Sequence, residues 1–200
     1  MKKLARAVVL TLGLLTSSMT ASADVVTFNG LVGPDLSPFT TYAEAGFTLT
    51  PLDGSVLQDL SVGNPAPSVR IIRMDSPDAG GLTITLTGGG LFTFKSVDVS
   101  SDTGASTLGV LGSLNGVPQF LFDEIITGAP GFATELNALS GTAIDALILV
   151  VTPNSPNGFG RLDNIVLNRP RVPEPASITL VALGLAVAGI AGVRRTRTNR

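Results

Sequence analysis

Chemistry in this 200-residue chain has to be carried by carboxylates, because histidine and cysteine are both absent. Their absence removes the imidazole base, the thiolate nucleophile and the commonest nitrogen and sulfur metal ligands. No disulfide framework can form. Serines are plentiful, but none has a histidine to activate it. Asp123 and Glu124 are the adjacent acid pair from which glycoside hydrolysis could be built. That reaction needs two carboxylates facing one bond, whereas neighbours in a strand point to opposite faces, so no shared site is expected there.

Asp163 is the other candidate, set between Leu162 and Asn164-Ile165 in an otherwise apolar segment. An acid that leans into a core needs a partner. It can ligate Ca²⁺ through oxygen, with Asp75, Asp78, Asp98 and Asp102 as helpers, or it can cap backbone amides or pair with Arg70, Arg73 or Arg161. No Asp-x-Asp-x-Asp-Gly spacing occurs, which favours the second role and no cofactor. Sugar recognition by stacking needs exposed aromatic faces. The chain has no Trp, one Tyr (Tyr42) and nine Phe. Most Phe fall on core-facing strand positions, and Tyr42 is expected as an ordinary loop or core-edge residue before Phe47.

The elements that would position these groups are strands. From Val25 onward, short runs rich in β-branched and aromatic residues are separated by Gly, Pro, Asn, Asp and Ser, without a helical period. Strands are expected near 25–31, 46–52, 55–62, 69–74, 82–87, 92–99, 120–126, 143–151 and 159–167, with 143–151 buried on both faces. Leu82, Ile84 and Leu86 alternate strictly with Thr83, Thr85 and Thr87, the mark of a half-buried antiparallel strand. The buried parity then switches between Phe92/Phe94 and Val97/Val99, which predicts a β-bulge near Lys95 and Ser96. Asn115-Gly116 lies between two apolar runs and predicts a type I′ hairpin turn. About eight to ten such strands without a helix make an all-β, antiparallel two-sheet sandwich of jelly-roll type, a barrel being the alternative.

Both ends of the chain differ from this body. Residues 1–23 open with Lys2, Lys3 and Arg6, continue with a short apolar run and end in Ala21-Ser22-Ala23. This is the layout of a cleaved secretory signal peptide, with the cut expected before Asp24; its apolar core is too short for a retained membrane span. At the other end, Val172-Pro173-Glu174-Pro175-Ala176-Ser177 leads into an apolar run over 178–193 and a basic tail over 194–200 with Arg194, Arg195, Arg197 and Arg200. The prolines forbid helix ahead of the run. The run itself lacks the polar stripe of a helix packed on a domain, so one C-terminal transmembrane helix is expected. Arginines after it place the C-terminus in the cytoplasm and the body outside. A GPI signal, the competing reading, ends apolar and lacks this basic block.

Between these ends, residues 24–171 are expected to form one β-sandwich domain. Residues 24–172 hold six Lys and Arg against fourteen Asp and Glu, a net charge of −8. A body so acidic is not expected to bind nucleic acid, which demands a clustered basic face.

The order of motif, apolar run and basic tail in 172–200 resembles the PEP-CTERM sorting signal of Gram-negative bacteria. That resemblance implies processing by exosortase, a membrane-embedded cysteine transpeptidase. It further implies passage through the inner membrane, transient anchoring there, and release to the cell surface or outside, in the company of exopolysaccharide and biofilm matrix. The body is similar to jelly-roll domains often found ahead of that signal, in its early Phe-rich strand, the 92–100 segment, the Gly-containing pair at 112–116 and Leu162-Asp163-Asn164-Ile165. The function expected is a noncatalytic, exported surface or extracellular-matrix protein that contacts exopolysaccharide or other matrix proteins. A secreted carbohydrate-active hydrolase with a His-free carboxylate site is the alternative.

Overall fold

The computed structural model describes residues 22–169, except 62, 64–65, 74–78, 103, 128–130 and 155–157. All of them belong to one compact unit, Ala21–Pro170. Residues 1–21 of the expected signal peptide and the C-terminal transmembrane helix lie outside the described residues, while Ser22 and Ala23, placed in that peptide, open the first strand.

Thirteen strands run in chain order: β1 (Ser22–Val26), β2 (Pro38–Phe39), β3 (Tyr42–Glu44), β4 (Phe47–Pro51), β5 (Ser55–Leu60), β6 (Ser68–Arg73), β7 (Gly80–Leu86), β8 (Thr93–Ser101), β9 (Ser106–Leu114), β10 (Val117–Ile126), β11 (Ala133–Leu136), β12 (Ala146–Pro153) and β13 (Gly160–Arg169). They make two antiparallel sheets. One has the order β11-β8-β13-β6-β5-β2, with β1 also on β13; the other has the order β10-β9-β12-β7-β4-β3. The strand β13 serves two neighbours on one edge: β6 takes Gly160–Leu162 and β1 takes Val26 through Ser22 against Ile165–Arg169.

Alternation builds the core. Leu57, Val69, Ile71, Val97, Val99, Leu162, Ile165 and Leu167 from the first sheet are buried together with Phe47, Leu49, Leu82, Ile84, Leu108, Val110, Leu147, Leu149 and Val151 from the second. Phe47 and Phe92 meet edge to face with centroids 5.2 Å apart, a favoured aromatic geometry. Two sheets packed face to face give the sandwich and not the barrel.

The predicted bulge is present: β8 pairs Ser96 with Val166 and Phe94 with Leu167, leaving Lys95 out of that ladder. Opposite it Asn164 adopts φ 42°, and the register shifts between Asp163 and Val166. The hairpin turn is also as expected, with φ 51° at Asn115 and 75° at Gly116. Three expectations need correction. The first strand stops at Val26, because Phe28 turns into φ 60°. The 143–151 run becomes β12, which alternates between buried and half-buried residues because Ile148 and Val150 face outward. Tyr42 lies in a strand, β3, and not in a loop. The short strands β2, β3 and β11 carry too few residues to show a period.

Candidate functional site: a groove on the six-stranded sheet

The outward residues of β9, β10 and β12 enclose a groove of about 420 Å³. Its floor is open because Gly109 has no side chain: a Cβ there would lie 3.1 Å from Oδ1 of Asp123 and 3.8 Å from Cβ of Val150. Leu111, Leu121, Ile148 and Val150 supply apolar walls, and the register partners Thr107 and Thr152 add adjacent hydroxyls. Among the described lining residues Asp123 is the one with a charge. The groove suits a ligand with an apolar face and a donor that reaches a carboxylate. It offers no aromatic platform.

Asp123 pairs with Gly109 and Glu124 with the buried Leu108, so the two acids face opposite sides of β10, as strand geometry requires. Glu124 instead lies near Glu135 of β11. Burial first, and the Glu124 charge second, raise the pKa of Glu135 above the ordinary carboxylate value. Glu124 is solvent-exposed and Glu135 half-buried.

Asp163 is fully buried and sits directly opposite Asp98, itself buried, across β13 and β8. Its Oδ1 accepts a hydrogen bond from the Asn164 backbone N–H at 2.8 Å. Asp98 accepts from the Thr134 hydroxyl at 2.6 Å and from the Asn164 side-chain amide at 2.8 Å. Of the expected helpers, Asp102 accepts the Phe159 N–H at 2.8 Å, while Asp75 and Asp78 lie outside the described residues. No group of three acids able to hold a metal occurs among the described residues.

Tyr42 is a core-edge residue. Its ring stacks on Phe28 with centroids 5.5 Å apart, and its hydroxyl accepts from the Gly30 N–H and donates to Glu44. Burial chiefly pushes its pKa up to about 12, with the Gly30 N–H opposing and Glu44 adding to the rise. Glu44 was not singled out by the sequence, since a lone glutamate carries no spacing signal. Its carboxylate accepts from the Thr27 N–H, the Thr27 hydroxyl and the Phe28 N–H at 2.8 to 2.9 Å.

Of the residues assigned to processing, Ala23 is exposed and pairs with Asn168. Asp24 accepts a hydrogen bond from Nε of Arg169 at 2.7 Å within an ion pair. Ala21, the sorting motif Val172–Ser177 and the terminal arginines lie outside the described residues.

Residues 171–195 match the family described as the PEP-CTERM protein-sorting motif. The chain thus carries the sorting motif of an exported protein on an all-β sandwich. No curated protein matches the sequence. Solved structures similar to the chain include a family 29 carbohydrate-binding module from Piromyces equi, with 11% identity, 74% of this chain and 90% of that chain covered, and a TM-score of 0.44. Another is the C-terminal family 22 carbohydrate-binding module of Clostridium thermocellum Xyn10B, with 15% identity, coverage of 77% and 96%, and a TM-score of 0.46. A third is the Clostridium thermocellum family 11 module in complex with a β-1,3-1,4-mixed-linked tetrasaccharide, with 16% identity, coverage of 78% and 99%, and a TM-score of 0.39.

Proposed function

We infer that this is an exported, noncatalytic matrix or cell-surface protein whose β domain is freed from the inner membrane by exosortase and then contacts exopolysaccharide or another matrix protein. The sorting motif at 171–195 carries this reading, because it begins just after β13 ends at Arg169. A domain followed at once by a membrane-bound handle is a cargo with a removable tether. Val172 through Ser177 would be the recognition segment, 178–193 the span, and Arg194, Arg195, Arg197 and Arg200 the cytoplasmic stop. Ala21 and Ala23 would direct signal cleavage before Asp24.

The noncatalytic reading is supported by the separation of Asp123 and Glu124 onto opposite faces of β10, which leaves one carboxylate in the groove where hydrolysis uses two. Replacing Pro173, Glu174 and Pro175 with alanine tests the sorting step. The altered protein is expected to stay in the inner-membrane fraction while the native one leaves it. Release of both alike would overturn the assignment.

A further inference from the structure

Three buried side-chain polar atoms lack a hydrogen-bond partner among the described residues: Oε1 of Gln58, Nε of Arg70 and Nε of Arg161. They are not scattered. Gln58 pairs with Arg70, Arg70 with Arg161, and Arg161 with Ser100, so these residues form one row across β5, β6, β13 and β8. Their strand neighbours Leu57, Val69, Ile71, Leu162 and Val99 fill the core, which puts the row on the outer face of the seven-stranded sheet, opposite the groove. At the ordinary strand spacing the row is about 14 Å long.

Like charges directly opposite in a sheet repel, and Arg70 and Arg161 are such a pair. Burial lowers the Arg70 pKa from its ordinary value, with Asp102 opposing and Arg161 adding to the fall. No salt bridge to either guanidinium occurs among the described residues. Phe159 lies over both, 3.8 Å from the Arg70 guanidinium carbon and 5.2 Å from that of Arg161, and its N–H is fixed by Asp102. Arg70 and Arg161 are both half-buried, so part of each side chain reaches solvent.

Two planar forks held side by side, with no salt bridge to either among the described residues and Asp102 as a nearby carboxylate, can receive an anion bidentately. The surroundings narrow its kind. A domain of net charge −8 repels a dense polyanion, so the fitting ligand carries sparse charge along an otherwise neutral chain. We propose that this row binds the carboxylate of a uronic-acid-bearing polysaccharide. The proposal rests on the matrix reading above and names a ligand class for it.

Titration calorimetry of the full chain in detergent, with otherwise neutral oligosaccharides that carry a single galacturonate, glucuronate or mannuronate, tests it. At least one series is expected to bind, with its methyl ester at least tenfold weaker. R70Q and R161Q should each weaken binding at least tenfold, and Arg161→Lys, which keeps the charge and loses the fork, should weaken it too. The lysine variant serves even where a glutamine variant fails to fold. Equal binding of acid and ester, unchanged binding by the folded variants, or no binding of any series would overturn the proposal. Competition by inorganic phosphate at equal concentration would reduce the row to a free-anion site and overturn the glycan assignment. Binding of neutral exopolysaccharide alone would overturn the row and leave the matrix reading in place.

Discussion

The Glu44 carboxylate gathers two backbone amides and two hydroxyls, from Thr27, Phe28 and Tyr42, at a point where Phe28 has φ 60°. A bulky residue reaches that region only when its surroundings hold it there. Glu44→Ala should therefore cost about 3 kcal/mol in urea unfolding, since it orphans several donors at once; an unchanged midpoint would show that packing alone sets the turn. Glu135 makes the opposite case. Its raised pKa means that the folded state prefers the protonated acid, so stability is greatest below the ordinary carboxylate value and falls as pH rises through the folded value. Glu135→Gln should raise Tm at pH 7 and leave it unchanged below about pH 4. A lower Tm at pH 7 would contradict this assignment. Addition of EGTA should leave Tm unchanged if Asp163 serves to hold the Asn164 N–H, and a fall would show Ca²⁺ at Asp163 and Asp98.

At the scale of elements, Gly112 of β9 receives the ring of Phe120 from β10, and a Cβ there would overlap that ring. Gly112→Ala should destabilise the β9–β10 pair by about 1–3 kcal/mol through overpacking, measured by thermal or urea unfolding; full stability would mean that the ring can swing aside. This contact could not be read from the sequence, where Gly112 is only one glycine in a strand. The hairpin at Asn115-Gly116, the Leu82/Thr83 alternation and the bulge at Lys95 were legible, because each is a local rule of φ or parity. Burial of Asp98 and Asp163 depends on β13 lying beside β8, and the Gln58–Arg70–Arg161–Ser100 row on three separate strand pairings. Such juxtapositions are created by topology, so spacing along the chain does not encode them.

Across the whole molecule, β1 and β13 bring the two ends of the domain together: Ser22 faces Arg169, and Asp24 is tied to Arg169. Cleavage before Asp24 would take Ser22 and Ala23 off β1 but leave Asp24, Val25 and Val26 paired with Leu167, Val166 and Ile165 and keep the Asp24–Arg169 ion pair. The sandwich would thus keep its strand order as an acidic domain once cut free. Reading from residues alone recovered the class of fold and the sorting motif, whose parts are compositional and contiguous. It named no ligand surface, because both outer faces are assembled from distant strands. Intact-mass measurement of the protein recovered outside the cells tests the central claim most directly. A chain that starts at Asp24 and ends near Pro173 to Ala176 is predicted, and a C-terminus still at Arg200 would contradict it.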